Sequence, residues 1–224
     1  MLNVFAHFSS KELKPFDLSR FESLGDNCEF GFFLRQAGDE RSSFFRWVSV
    51  QDYSKVVLFL RNGLSTPFNL YHLLPLQDYM VQTSKYKFGY HSEMQSDFVD
   101  GKREFCVTNA RKKAVYLHEI NKINHLRAKL LKTLQEEEKI FVVKKDRNEQ
   151  AKEIKSIARE ISLIGSCKVL RVISTKKKRK IGKVKMINKN LYYGYIDQFA
   201  DYNRADEVSF DCWMAILKEA NRKM

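Results

Sequence analysis

The sequence predicts an α/β fold, a mainly parallel sheet with helices on both faces and a C-terminal β-hairpin. Three stretches carry that prediction. Ile140-Phe141-Val142-Val143 and Val169-Leu170-Arg171-Val172-Ile173 are short, mostly β-branched apolar runs of the kind a buried strand needs. Between them, Glu149 to Leu163 sets Ile154, Ile157, Ile161 and Ile164 on one helical side, with Gly165 as its stop. Strand, helix and strand joined by short connections form a βαβ unit, whose strands run parallel through a right-handed crossover. Further on, Lys183 to Ile187 and Leu191 to Ile196 turn at Asn188-Lys189-Asn190 and read as the hairpin.

From the N-terminus, residues 1–19 read as a mixed arm that Pro15 keeps from being one helix. Phe21 to Arg35 then gives a short strand, a tight polar loop at Gly25-Asp26-Asn27, and a helix starting at or next to Cys28. That helix runs to about Gln36, with Gly38 placed to terminate it. Arg41-Ser42-Ser43 is a loop, and Phe44 to Val48 is a bulky segment expected beside the first strand. Asp52 caps a helix from Tyr53 to Arg61 that stops at Asn62-Gly63. Residues 64 to 110 read as mainly polar loop, with strand-like pieces at Tyr79–Gln82, Phe88–His91 and Phe105–Val107. Lys112 to Lys139 is the longest amphipathic helix, and Phe210 to Asn221 closes the chain as another.

Three prolines and nine glycines leave no room for a long low-complexity linker, so 1–224 reads as one domain, with a basic loop and hairpin over 174–200. No apolar run approaches the ~20 residues a membrane span needs. The first residues lack the basic flank and apolar run of a secretion signal. The expected location is therefore cytoplasmic. Cysteines at 28, 106, 167 and 212 form no Cys-x-x-Cys pair and read as reduced thiols. No His, Cys or Asp pair has metal-ligand spacing, and neither a dinucleotide fingerprint nor a P-loop occurs, so no metal or cofactor is expected.

The formal charge of +13 favours anionic partners, and its densest block is Lys176-Lys177-Lys178-Arg179-Lys180. Five adjacent cations repel one another and cost too much to bury, so the block is expected as an exposed, mobile loop suited to peripheral contact with an anionic surface. No glycine-aromatic signature stands beside it, which argues against a nucleic-acid partner.

The first strand ends at Gly25, and open α/β sheets place ligands beyond such ends. Gly25 tolerates positive φ, and Asp26 and Asn27 are turn and N-cap residues. Cys28 would then feel the unpaired N–H groups and dipole of a helix start, which favour thiolate. Asn27 and the N–H groups of Cys28 and Glu29 are the candidate oxyanion donors. A thiolate wants a base, and among His7, His72, His91, His118 and His125 the preferred partner is His91, at a strand end. Asp97 or Glu93 would orient it. Near the C-terminus, Tyr193, Tyr195 and Asp197 set aromatic faces beside a carboxylate, as sugar sites do.

Ser23-Leu24-Gly25-Asp26-Asn27-Cys28-Glu29, the helix to Leu34-Arg35, the aromatic segment ending in Trp47 and the later Tyr90-His91 resemble an uncharacterised bacterial family described as papain-like cysteine peptidases. The resemblance implies a Cys28 nucleophile and a histidine base best matched by His91; Arg46 and Trp47 are further candidate substrate contacts. Two positions depart from the family pattern. Arg46 stands where an acid precedes the tryptophan, and Ser92 rather than aspartate follows the histidine. Related segments look like parts of larger bacterial proteins associated with surface-glycan synthesis. The functional expectation is a cysteine hydrolase or acyl transferase acting on a small-molecule or glycan substrate. Its rival is a glycan-pathway domain, a sugar transferase or a binder of an anionic saccharide or sugar nucleotide.

Overall fold

The computed structural model describes residues 15–146 and 149–224. Most of the N-terminal arm, with His7, therefore lies outside the described residues. The elements run β1 (Phe21–Ser23), α1 (Glu29–Gln36), β2 (Ser49–Val50), α2 (Tyr53–Arg61), β3 (Leu73–Gln77), β4 (Met80–Thr83), β5 (Phe88–His91), β6 (Ser96–Val99) and β7 (Lys102–Phe105). They continue with α3 (Asn109–Glu136), β8 (Ile140–Lys144), α4 (Ala151–Ile164), β9 (Lys168–Ser174), β10 (Val184–Asn188), β11 (Leu191–Ile196) and α5 (Phe210–Lys223). The fold is α/β with a mixed sheet in the order β1-β8-β9-β11-β10. The β1–β8, β8–β9 and β9–β11 pairings are parallel, and β10 pairs antiparallel with β11.

Side chains alternate across this sheet, as strand geometry requires. Phe141, Val143 and Val169 pack with Ile154, Ile157 and Ile161 of α4, whereas Ile140, Val142, Leu170 and Val172 pack with Phe30 and Phe33 of α1 and Trp213 and Ile216 of α5. The isoleucine stripe read from the sequence is thus the face α4 buries. Gly165 ends α4, but in extended backbone at φ −173°. A methyl there would meet the Leu134 carbonyl oxygen at 2.2 Å, so the glycine answers to a close approach of α3.

A second sheet, antiparallel and ordered β2-β5-β4-β3, and a separate β6–β7 hairpin fill the region read as mainly loop. The strand expected at Phe105–Val107 lies earlier, at Lys102–Phe105. β4 and β5 fall at the strand-like pieces expected at Tyr79–Gln82 and Phe88–His91, and two features hid β3, β6 and β7. Pro75 sits inside β3, which proline tolerates because β3 is an edge. β6 and β7 expose most of their side chains and so lack an apolar alternation. Phe44 to Trp47 is likewise a turn that leads into β2.

The basic block joins β9 to β10 and is largely exposed, but Lys178–Lys180 wind into a 3₁₀ turn, and the Lys180 Nζ lies 5.1 Å from the Tyr195 ring centroid. Among the described residues, no helix is long and apolar enough to cross a membrane.

Gly165→Ala should lower stability by about 1–3 kcal/mol, the usual cost of overpacking, because the obstructing atom is backbone and cannot rotate away. A urea midpoint equal to that of the native chain would show that the α3–α4 junction yields freely.

Candidate active site

The site lies where the two sheets meet. Leu24 N–H donates to the Val142 carbonyl at 2.9 Å, and Val50 N–H donates to the Asp26 carbonyl at 3.2 Å. One turn therefore ties β1 to β8 on one side and to β2 on the other. Gly25 has φ +87°, and a Cβ there would meet Val50 Cγ2 at 2.4 Å, so only glycine fits. Asp26 follows at φ 103°, unusual for a residue with a side chain. Its carboxylate is held by Lys145 Nζ at 2.9 Å and Lys144 Nζ at 3.5 Å.

Cys28 is the N-cap of α1 and is partly exposed. β2 pairs with β5 through Ser49↔Gly89, so the end of β5 runs back toward the start of α1. His91 is its last residue, and its Nε2 lies 3.8 Å from Cys28 Sγ. The preferred histidine is thus the one that reaches the sulfur. The helix start does not by itself yield a thiolate. Burial pushes the Cys28 thiol above its ordinary value, and the Lys144 cation opposes that rise.

The other residues singled out in the sequence divide differently. Asn27 uses its Oδ1 to accept from Glu29 N–H at 3.1 Å, which removes Glu29 N–H as an oxyanion donor and leaves Cys28 N–H. Glu29 is not a ligand contact. It is fully buried, accepting from Lys144 Nζ at 2.8 Å and Trp213 Nε1 at 3.0 Å. Arg46 is also buried. It donates to the carbonyls of Arg41 (2.6 Å), Asp39 (2.5 Å) and Gly31 (3.2 Å), and so pins the turn that presents Trp47. Trp47 itself is half-buried, edge-on to Phe32 at 5.3 Å, with the Arg35 guanidinium 4.8 Å from its ring.

Asp97 does not orient His91. It lies on the β6–β7 hairpin and accepts from Phe98 N–H at 2.7 Å, while Glu93 pairs with Arg111 at 2.6 Å. Glu119 of α3 was read only as part of a solvated helix, and it holds the segment after the histidine. Its carboxylate accepts from Ser92 Oγ at 2.9 Å and Glu93 N–H at 3.1 Å. Burial keeps this carboxyl above its ordinary value despite those bonds. The serine in place of the family's aspartate is one half of that contact.

Tyr193, Tyr195 and Asp197 are not brought to the cysteine. β11 lies three strands from β1, on the order of 14 Å at ~4.8 Å per strand. Arg171 and Lys180 occupy the two tyrosine faces, and Asp197 accepts from Ser209 Oγ at 2.8 Å. On the His91 side of the pair runs a cavity of about 430 Å³ whose lining includes Trp47, Tyr90, His91, Glu119 and Lys122. Comparison of the chain with family models, with curated proteins and with solved structures finds no match.

Lys144→Met would leave Glu29 as a buried carboxylate without its cation, at a cost of roughly 3–5 kcal/mol. Adding Glu29→Gln to the same chain should recover part of the loss. Urea denaturation measures both, and a single-variant cost below ~1 kcal/mol would mean that the pair does not anchor the loop.

Proposed function

We propose that Cys28 and His91 are the nucleophile and general base of a hydrolase or acyl transferase. The observation that carries this reading is the 3.8 Å approach of His91 Nε2 to Cys28 Sγ. Nucleophile–base geometry precedes pKa as a criterion, and such contacts are commonly long before substrate binds. Cys28 caps α1 and His91 ends β5 of the antiparallel sheet, 63 positions apart, so chain proximity does not account for the contact.

Because burial holds the thiol protonated, the proton leaves Sγ as the bond to carbon forms. His91 Nε2 takes that proton while Sγ adds to the acyl carbonyl. The new oxyanion lies near the Cys28 N–H at the start of α1. Collapse breaks the bond to the leaving group, which receives the proton from His91, and leaves a thioester on Cys28. Water or another acceptor, deprotonated by His91, then attacks the thioester, the carbon–sulfur bond breaks to release the acyl group, and the proton passes from His91 back to Cys28 Sγ. The papain-like resemblance is compatible with this sequence, whereas the parallel βαβ core belongs to a different sheet architecture. The glycan-site alternative has less support, since Tyr193, Tyr195 and Asp197 are engaged elsewhere.

His91→Ala should slow alkylation of Cys28 by iodoacetamide near pH 7.5. Its rate on the high-pH plateau of the profile, where the thiol is ionised unaided, should stay within about twofold, and burial moves that plateau to higher pH than for an ordinary thiol. The exposed Cys106 serves as the reference thiol in the same digest. A rate at pH 7.5 that ignores the histidine would sink the nucleophile–base pair.

A further inference from the structure

We propose that the substrate carries an oxyanion group, carboxylate or phosphate, on a flat apolar body, with the body on Trp47 and the charge toward Arg35 and Lys122. The inference rests on the Cys28–His91 reading and names the substrate class of that site. His91 and Trp47 line the same cavity of about 430 Å³, so whatever fills it abuts the histidine of the reactive pair.

Its inner wall is mostly apolar, from Phe44, Tyr90 and Ile123, all buried, and the half-buried Trp47 adds a ring with the Arg35 guanidinium 4.8 Å from its centroid, so a planar group lying along the ring meets that cation. The charges on the lining are uneven. Of the two lining acids, Glu93 is paired with Arg111 at 2.6 Å, and Glu119 accepts from the neutral donors Ser92 Oγ and Glu93 N–H. Neither lining cation is tightly paired. Lys122 is exposed and makes no ion pair among the described residues, and Arg35 lies over the Trp47 ring at 4.8 Å with Glu40 as its carboxylate partner, at 3.8 Å and with both side chains more than half exposed. A pair so open is weak and easily exchanged for a bound anion. Lys122 and Arg35 are thus the lining charges open to a bound anion beside an apolar floor, where a charge-assisted contact to an oxyanion gains most.

His91 also borders a second cavity of about 420 Å³ lined by Asp78, Tyr79 and Arg103. There Arg103 is neutralised by Asp78 at 2.8 Å. The charge preference therefore belongs to the Trp47 side.

Three matched reagents test this: 4-(iodoacetamido)benzamide, 4-(iodoacetamido)benzoate and 4-(iodoacetamido)phenyl phosphate. Each forms a carbon–sulfur bond to the cysteine, releases iodide, and leaves the thiol proton to His91 or buffer. Labelling of Cys28 relative to Cys106 is read by peptide mass spectrometry, which cancels the general attraction of a +13 chain for anions. The Cys28:Cys106 ratio should favour an acid over the amide by about tenfold, the low end of focusing by a charged cleft. Lys122→Glu and Arg35→Glu should each erase or invert the preference. Either acid preferred supports the proposal, and the larger preference identifies the group. Equal ratios for all three reagents, or a preference that survives both charge reversals, would overturn it. Failure of the Cys28–His91 reading appears separately, as a neutral-reagent rate at pH 7.5 indifferent to His91→Ala.

Discussion

The ion pair between Glu29 and Lys144 fixes the geometry on which the site depends. Glu29 opens α1, Lys144 closes β8, and Trp213 of α5 donates to the same carboxylate. Three elements distant in sequence are therefore joined at one fully buried group. A buried charge costs several kcal/mol unless its partner and its remaining hydrogen bonds are in place, so the arrangement tolerates little displacement. Asp26 extends it, bound to both Lys144 and Lys145 while its backbone stays in a conformation that costs about 1–3 kcal/mol. With residues 26 and 29 held, the path of Cys28 between them is set.

The same turn is the seam between the two sheets. Its hydrogen bonds reach β8 through Leu24 and β2 through Asp26, and β2 in turn fixes the register of β5. His91 reaches the sulfur because that register carries the end of β5 across the start of α1. The side chain on the parallel sheet and the one on the antiparallel sheet are thus held by backbone bonds, and Glu119 secures the chain just past the histidine.

The βαβ unit was legible because α4 and its flanking strands bury continuous apolar faces, and burial writes itself into residue type. Cys28 and His91 were legible because each stands at the end of an element beside residues with marked turn preferences. Glu29 and Arg46 misled because polar residues next to a reactive motif suggest ligand contacts. Their roles depend on direction instead: Glu29 shares the inward face of α1 with Phe30 and Phe33, and Arg46 follows two buried phenylalanines into a turn whose carbonyls need donors. Asp97 misled because a separate hairpin carries it, and no local pattern reveals where an exposed hairpin points. Glu119 left no signal, since a carboxylate on a long charged helix looks the same whether or not a loop docks on it.

The charges around the sulfur decide what kind of cysteine this is. Asp26, Glu29, Lys144 and Lys145 form a group of two acids and two bases, of which the Lys144 cation opposes the rise of the Cys28 thiol. Burial then prevails over the lysine, and the thiol is held protonated. A sulfur in that state gains nucleophilicity only where a base meets it at the moment of attack. Cys167 and Cys212 are also raised by burial, and carboxylates add to the rise there, whereas Lys144 opposes it at Cys28; Cys28 is set apart as well by the imidazole that β5 brings to it.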